Sequence, residues 1–165
     1  GLVGSEMCIR DSYMVAQTRL FGEVTIDDDK VLDFPNGIIG ISDKHKFAII
    51  YDEERGSDTA IRWLQSMEDP YLALPVIEPF AVLDEYNPVI EDEWLEVIDN
   101  PADEDIVVLL TMIVSSDVTR VTANMKAPIV INSRTCKGEQ IIVENPDYEA
   151  KFNVYEAIQK KKAGE

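Results

Sequence analysis

The chain has 165 residues, 45% of them hydrophobic, and its 32 acidic and 15 basic residues give a net charge of −17. This length predicts one domain with a substantial apolar core. The charge argues against direct contact with nucleic acid or anionic membrane, because such contacts need Lys and Arg. Two cysteines, Cys8 and Cys136, provide neither a disulfide framework nor a CxxC metal site, and a single cysteine inside the predicted domain fits a reducing cytoplasm. No apolar run reaches the roughly 18 residues that a membrane-spanning helix needs.

The first thirteen residues, Gly1–Tyr13, show no strand or helix period and precede Met14. They lack the basic start and apolar centre of a signal peptide, so they do not argue for secretion. We predict a non-native or unstructured leader over 1–13, a single domain over 14–150 and a tail over 151–165.

Most of the domain is predicted to form short strands separated by turn residues. The predicted strands are Leu20–Ile26, Val31–Phe34, Lys46–Tyr51, Ala60–Gln65, Tyr71–Ile77, Ile106–Val114, Val118–Asn124, Ala127–Asn132 and Glu139–Glu144. Ile106–Val114 is almost entirely apolar, which predicts burial on both faces and a filled interior. The number and even spacing of the strands predict a mainly β fold, namely a closed or nearly closed antiparallel β-barrel.

Helix signals are few. One short helix is predicted over Glu91–Ile98, with acids in the first turn, where the helix dipole favours them, and with Trp94 and Leu95 as its apolar anchors. The tail 151–165 is a possible C-terminal helix, because apolar residues recur there at helical spacing, namely Phe152, Tyr155 and Ile158.

A strongly acidic segment runs from Glu78 to Asp105 and contains no Lys or Arg. It is predicted to face water and to attract a basic protein surface. The competing interpretation is that an acidic run serves solubility alone. The acids are Glu78, Asp84, Glu85, Glu91, Asp92, Glu93, Glu96, Asp99, Asp103, Glu104 and Asp105.

Signatures of catalysis are weak, and no cofactor or metal is expected. The single histidine, His45, lies between two lysines in a polar turn and is predicted to be a solvated loop residue. Cys136 has no second catalytic partner nearby in sequence and is predicted to be an inert thiol. The acidic runs Asp27–Asp29 and Asp103–Asp105 lack the spacing of a calcium loop.

Two alternative functions stay open. A carboxylate-based or metal-assisted hydrolase is one, because the sequence does not show the distances between carboxylates. A small-ligand-binding barrel is the other.

Three motifs occur in an order that resembles one family. The first forms a compact turn in which Gly37 and Gly40 permit positive φ. The motifs are Phe34-Pro35-Asn36-Gly37-Ile38-Ile39-Gly40, then Leu64-Gln65-Ser66-Met67-Glu68-Asp69-Pro70, then Asn124–Asn132 followed by Gln140-Ile141-Ile142. They resemble the signature of FliW, the flagellar assembly factor family of bacteria. The resemblance runs from about Leu20 to Tyr148, and the segment after residue 151 does not clearly match.

Residue chemistry predicts structural roles for several motif positions. Pro128 cannot donate a ladder hydrogen bond, which predicts an edge or bulge position. Asn124 and Asn132 bracket the same predicted strand and are expected to hold the adjoining turns through side-chain hydrogen bonds. Gln65 and Ser66 end an apolar strand, where their polar groups are expected to satisfy free backbone groups.

The resemblance implies a non-enzymatic, cytoplasmic regulator with two protein partners. Members of the family bind flagellin and, when flagellin is exported, bind the RNA-binding repressor CsrA away from its RNA site. From its acidic surface, the chain is expected to be a monomer when free and to contact neither nucleic acid nor membrane. The candidate partner-binding residues are Phe34, Ile38, Gln65, Ser66, Glu91, Asp92, Glu93, Trp94, Glu96, Asn124, Lys126, Pro128 and Asn132.

Overall fold

The computed structural model describes residues 13–18, 22–27, 30–50, 61–83 and 85–163. These residues form strands β1–β11 and helices α1 and α2, with short 3-10 turns between them. In chain order the elements are β1 Tyr13–Thr18, β2 Gly22–Asp27, β3 Leu32–Asp33, β4 Lys46–Ile50, β5 Ile61–Ser66, β6 Ala73–Ile77, α1 Asp92–Val97, β7 Ile106–Ile113, β8 Thr122–Ala123, β9 Ile129–Asn132, β10 Lys137–Gln140, β11 Phe152–Asn153 and α2 Val154–Ala163.

Seven strands close into a barrel in the order β7-β6-β5-β4-β3-β10-β9, because β9 pairs back onto β7. The predicted closed, mainly β barrel is therefore confirmed. One pair differs from the antiparallel pattern: β10 runs parallel to β3, with Lys137 opposite Asp33. β8 extends the sheet from β7 and pairs with β11, while β1 and β2 form a separate two-stranded sheet.

Apolar side chains fill the interior of the barrel. Phe34 and Phe47 are fully buried and meet edge to face, with ring centroids 5.5 Å apart. A Cβ built on Gly138 would lie 2.7 Å from the Phe34 ring, so only glycine lets β10 approach it this closely. The rest of this core is formed by Leu32, Ile38, Leu64, Val76, Leu109, Ile129 and Ile131. Within the described residues, the interior is therefore packed, as the apolar strand predicts.

Strand β7 separates two apolar clusters. Val107 and Leu109 pack into the barrel core, whereas Val108 and Leu110 pack into a cluster on the outer side. The predicted burial on both faces is thus confirmed for the middle of the strand. It is wrong at the C-terminal end, where Ile113 is 58% exposed. At that end β7 has run past its last partner residue in β6 and pairs only with the two-residue strand β8.

The tail is part of the fold. The possible C-terminal helix is confirmed as α2, and its residues Val154 and Ala157 are buried in the outer cluster with Leu110 and Met125. Neither helix in the described residues has the length and apolar character that crossing a membrane requires.

Some predicted boundaries were wrong. β1 was not predicted, and its first residue, Tyr13, falls within the predicted leader. Val118–Asn124 is mostly not a strand, because Val118–Arg120 forms a 3-10 turn capped by Asp117. β10 lies over Lys137–Gln140 rather than Glu139–Glu144. Other predictions concern residues outside the described ranges: the leader up to residue 12 with Cys8, the strand ends at Leu20, Tyr51 and Ala60, residues 28–29, Asp84 and residues 164–165.

Candidate functional site

Helix α1 lies against the outside of the barrel. The helix follows Glu91, whose backbone is extended. Leu95 and the fully buried Ile98 pack against Val130, Ile141 and Val143, which form a second cluster, distinct from the one around Leu110. The predicted anchoring role of Trp94 is wrong: this side chain is 37% exposed and lies outside that cluster. Leu95 and Ile98 hold the helix on their own side, which leaves Trp94 facing the surface.

Two side chains of the barrel hold the C-terminal end of α1. Asn132 is fully buried, and its Nδ2 donates a 2.8 Å hydrogen bond to the carbonyl of Ile98. Lys137 Nζ lies 3.4 Å from the carboxylate of Asp99, which adopts a left-handed φ of 65°. The buried bond satisfies a carbonyl at the end of the helix, where intrahelical partners are missing.

The extended chain before α1 is held by the loop after β10. Val89 donates its backbone amide to Asn145 Oδ1 at 2.9 Å. Asn87 donates its amide to the hydroxyl of Tyr148 at 2.7 Å. The segment is therefore fixed at both ends, by this loop before α1 and by Asn132 after it.

Tyr86 fastens the same segment to the body of the protein. Its hydroxyl donates a 2.7 Å hydrogen bond to the carbonyl of Met125, and its ring lies 4.7 Å from that of Tyr148. Burial raises the pKa of Tyr86, with a further contribution from Tyr148. The phenol is therefore a neutral donor at physiological pH.

These fixed segments enclose a cleft of about 420 Å³, which we call the α1 cleft. Its most exposed apolar residues are Val89 at 64% and Ile142 at 59%, and Trp94 adds a half-exposed ring. Its lining residues are Val89, Glu91, Glu93, Trp94, Ile141, Ile142 and Glu144. An apolar surface surrounded by carboxylates is suited to an apolar side chain flanked by basic ones.

The acids of the cleft are not neutralised within the described residues. Glu91, Glu93 and Glu144 have no Lys or Arg partner there within ion-pair distance. Elsewhere in the acidic segment three pairs form, namely Arg62–Glu78 at 3.7 Å, Lys137–Asp99 at 3.4 Å and Arg134–Asp105 at 3.6 Å. In the described residues, none of the four acids Glu91, Asp92, Glu93 and Glu96 at α1 forms an ion pair.

The candidate partner-binding residues divide by exposure. Glu91, Glu93 and Trp94 meet in the α1 cleft, whereas Asp92 and Glu96 are exposed on α1 without lining it. Six candidates are buried in the free protein: Phe34, Ile38, Gln65, Ser66, Pro128 and Asn132. Asn124 and Lys126 are half-buried in the turn before β9.

Sequence reasoning missed four lining residues of the cleft: Val89, Ile141, Ile142 and Glu144. A signal was present for two of them. Val89 is apolar within a run of acids, and Ile142 ends the third motif. Their proximity depends on hydrogen bonds such as Val89–Asn145, which join positions 56 apart in the chain.

The polar motif residues satisfy backbone groups, as predicted. Asn124 Oδ1 accepts from the amides of Lys126 and Ala127, both at 3.0 Å. In the same way, Asn132 Oδ1 accepts from the amides of Arg134 and Thr135. These are local turns closed by a side chain that replaces a backbone acceptor.

The central motif behaves similarly. Gln65 Nε2 donates to the carbonyls of Ser66 and Asp69, and Ser66 Oγ accepts from the amides of Glu68 and Asp69. Pro128 lies immediately before β9, and its carbonyl accepts from Ile141. It therefore contributes an acceptor to the ladder without needing a donor.

The turn of the first motif contains the single histidine. The prediction that His45 is a solvated loop residue is wrong. Its side chain is half-buried, and Nδ1 lies 2.8 Å from the carbonyl oxygen of Phe34. Glu68 Oε1 accepts from the amides of His45 and Lys46 at 2.6 and 2.8 Å, and these bonds lower the pKa of Glu68. These contacts give His45 a structural role at the start of β4.

One carboxyl is buried at the first motif. Glu139 is only 6% exposed, and its Oε1 accepts a 3.0 Å hydrogen bond from Asn36 Nδ2. Burial raises the pKa of Glu139, and the bond from Asn36 opposes that effect in part. No group of three His, Cys, Asp or Glu side chains in the described ranges is arranged to hold a metal ion.

A family model described as FliW protein matches residues 15–154 of the chain. Three relatives carry the description flagellar assembly factor FliW. The protein from Lachnoclostridium phytofermentans is 46% identical over 155 residues, covering 92% of this chain and 99% of its own. Those from Lachnospira eligens and Thermotoga neapolitana are 40% and 38% identical, covering 89% and 91% of this chain and 98% and 99% of their own.

One solved structure, described as the crystal structure of the flagellar assembly factor FliW, superposes with a TM-score of 0.77 at 28% identity. The match covers 85% of this chain and 96% of the solved chain.

Proposed function

The chain belongs to the FliW family of flagellar assembly factors, and from this membership we propose that it is a cytoplasmic, non-enzymatic regulator with two protein partners. It binds flagellin and, when flagellin is exported, binds the RNA-binding translational repressor CsrA and antagonises it allosterically. The free protein is a monomer in this proposal.

The α1 cleft is the observation that carries the proposal. It combines exposed apolar side chains, including Val89 and Ile142, with unpaired carboxylates, including Glu91 and Glu93. CsrA must present basic residues in order to hold RNA. An acidic surface docked beside those residues repels RNA over about 8 Å, the screening length at physiological salt. Antagonism therefore does not require the RNA site itself to be occupied.

Flagellin would use the apolar part of the same surface more than its charges. Its terminal segments form amphipathic helices, and such helices bury one apolar face in a groove. Binding to Val89, Trp94 and Ile142 would then depend less on salt than binding to CsrA does.

Titration calorimetry with purified CsrA and purified flagellin tests the proposal. The expected result is a complex with each protein at micromolar or lower concentration, together with reduced affinity of CsrA for RNA. If neither CsrA nor flagellin forms a complex with this protein at micromolar concentration, the proposal is contradicted. Val89→Ser should weaken binding, because it removes apolar surface from the cleft without changing its charge. Val118→Ser is the matched control, since Val118 is 63% exposed against 64% for Val89 and does not line the cleft.

A further inference from the structure

Ladder-like hydrogen bonds continue beyond the end of β10, over residues that are not part of a regular strand. Ile141 donates its amide to the carbonyl of Pro128 at 3.0 Å, and Val143 donates its amide to the carbonyl of Lys126 at 2.8 Å. Both bonds run toward the β9 side. Since successive amides of an extended chain point in opposite directions, the amide of Ile142 faces away from β9.

The outer side of this extension is open. β3 pairs with β10 only through Asp33 and Lys137, after which the chain leaves through the turn of the first motif. In the part of the chain that the structure describes, the amides of Ile142 and Glu144 have no hydrogen-bond partner. Unpaired amides along a strand edge are a template for another extended segment.

This open edge forms one wall of the α1 cleft. Ile142 and Glu144 line the cleft together with Val89, Glu91 and Trp94. A segment that pairs with the edge would present alternate side chains to the cleft. Its apolar residue would meet Val89 and Trp94, and the residues two positions before and after it, which share its face, would meet carboxylates.

We propose that the α1 cleft binds its partner by strand addition: an extended segment of the partner, carrying one apolar residue with Lys or Arg two positions before and after it, pairs with the edge at Ile142 and Glu144. The inference rests on the proposed function and specifies how the basic partner is held. Charge complementarity favours this occupant, because Glu91, Glu93 and Glu144 are unpaired in the described residues. A docked helix would leave both edge amides unsatisfied, since its own backbone groups are paired internally.

Proline substitution tests the edge directly. Ile142→Pro removes one donor that makes no hydrogen bond to the described residues. Ile142→Val keeps the amide and most of the apolar surface. Measured by calorimetry with purified CsrA, Ile142→Pro should weaken binding about tenfold or more, and Ile142→Val less than about threefold. Glu144→Pro and Glu144→Gln form a second matched pair with the same expectation.

Amide hydrogen exchange, measured by NMR on the wild-type protein, makes the test independent of how these variants fold. Exchange of the Ile142 and Glu144 amides should slow about tenfold or more in the CsrA complex. A complex in which both amides exchange as in the free protein, or one that Ile142→Pro leaves unchanged, overturns strand addition and favours a docked helix or another face. If neither CsrA nor flagellin binds the wild-type protein, the proposed function fails and the inference fails with it.

Discussion

The side chain of Gln140 accepts a 3.0 Å hydrogen bond from the backbone amide of Ile39, 101 residues earlier in the chain. The same side chain donates a 3.0 Å bond from Nε2 to the carbonyl of Ala127. One buried amide thus joins the turn of the first motif to the start of β9. Residues of the first and third motifs therefore form a single structural unit beside the open edge at Ile142.

Replacing Gln140 with methionine keeps the length of the side chain but removes both hydrogen bonds. The carbonyl of the buried Ala127 then loses its partner, and an unsatisfied buried group costs about 1–3 kcal/mol. We expect the free energy of unfolding in urea to fall by about 2 kcal/mol. Gln159→Met is the control, because Gln159 is exposed on α2, and it should change stability by less than about 0.5 kcal/mol. Equal effects of the two substitutions would contradict the bridging role.

The glycines of the first motif provide a second matched pair. Gly37 and Gly40 both have positive φ, 70° and 89°. A Cβ at Gly37 would lie 2.5 Å from the Cα of Ser42, whereas a Cβ at Gly40 meets nothing within 4 Å. Gly40→Ala should therefore cost about 1 kcal/mol for the backbone conformation alone, and Gly37→Ala at least about 2 kcal/mol because the turn must also shift. Thermal unfolding of both variants measures the difference, and a larger loss for Gly40→Ala would refute it.

Local chemistry was readable from sequence where a residue's partner lies close along the chain. The turns closed by Asn124 and Asn132 followed from residue type and position, because their backbone donors lie two and three residues ahead. Closure of the barrel followed only in outline. The pairing of β9 with β7 was not readable, nor was the parallel contact of β3 with β10, because strand register between distant segments is set by tertiary packing.

The α1 cleft shows the same limit. The acids and Trp94 were identified from composition, but the buried candidates Phe34, Ile38 and Asn132 were not separated from the exposed ones. In a sequence motif, residues that maintain the fold cannot be told apart from residues that contact a partner. The burial of each side chain shows which candidates are accessible in the free protein.

Asn132 should control the position of α1, whereas Asn124 should not. Asn132→Asp keeps the acceptor of the turn but replaces the donor to the Ile98 carbonyl with a buried oxygen, at a cost of about 3 kcal/mol. Asn124→Asp keeps both of its acceptor bonds and loses no bond to the described residues, so its cost should stay below about 0.5 kcal/mol.

Hydrogen exchange at the amides of Ile98 and Asp99 separates local from global effects for this pair. Both amides bond within the last turn of α1. They should exchange faster in Asn132→Asp than overall destabilisation alone explains, and at the wild-type rate in Asn124→Asp. Identical exchange in the two variants would remove Asn132 from the positioning of the helix.

Glu139 should make stability depend on pH in the direction opposite to a paired carboxylate. Burial raises its pKa above the ordinary 4.5, so the native protein binds this proton more tightly than the unfolded chain does. The stabilisation is fully present below the unfolded pKa and is lost as pH rises through the raised folded pKa. Glu139→Gln keeps the acceptor for Asn36 and cannot ionise. It should match the wild type near pH 4 and exceed its stability at pH 7 by on the order of 1 kcal/mol.

Urea unfolding at several pH values between these limits measures the effect. Glu144→Gln serves as control, since Glu144 is exposed and forms no hydrogen bond or ion pair with the described residues. The difference between each variant and the wild type should rise with pH only for Glu139→Gln. A flat difference would show that Glu139 titrates alike in the folded and unfolded chains.

Charge on α1 should govern how fast the basic partner associates. Neutralising Glu91, Asp92, Glu93 and Glu96 removes four exposed carboxylates at one place, while neutralising Asp43, Asp147, Glu149 and Glu156 removes four exposed carboxylates elsewhere. The two quadruple variants carry the same net charge, so any difference between them reflects the position of the removed carboxylates.

Steering by local charge changes the association rate more than the dissociation rate, and this effect weakens as salt rises. Stopped-flow association with CsrA should therefore slow about tenfold for the α1 variant at low salt and much less for the control. The two should converge as salt approaches 1 M, where the screening length falls to about 3 Å. Association rates that are independent of salt, or equal in both variants, would leave the acidic segment with the solubility role alone.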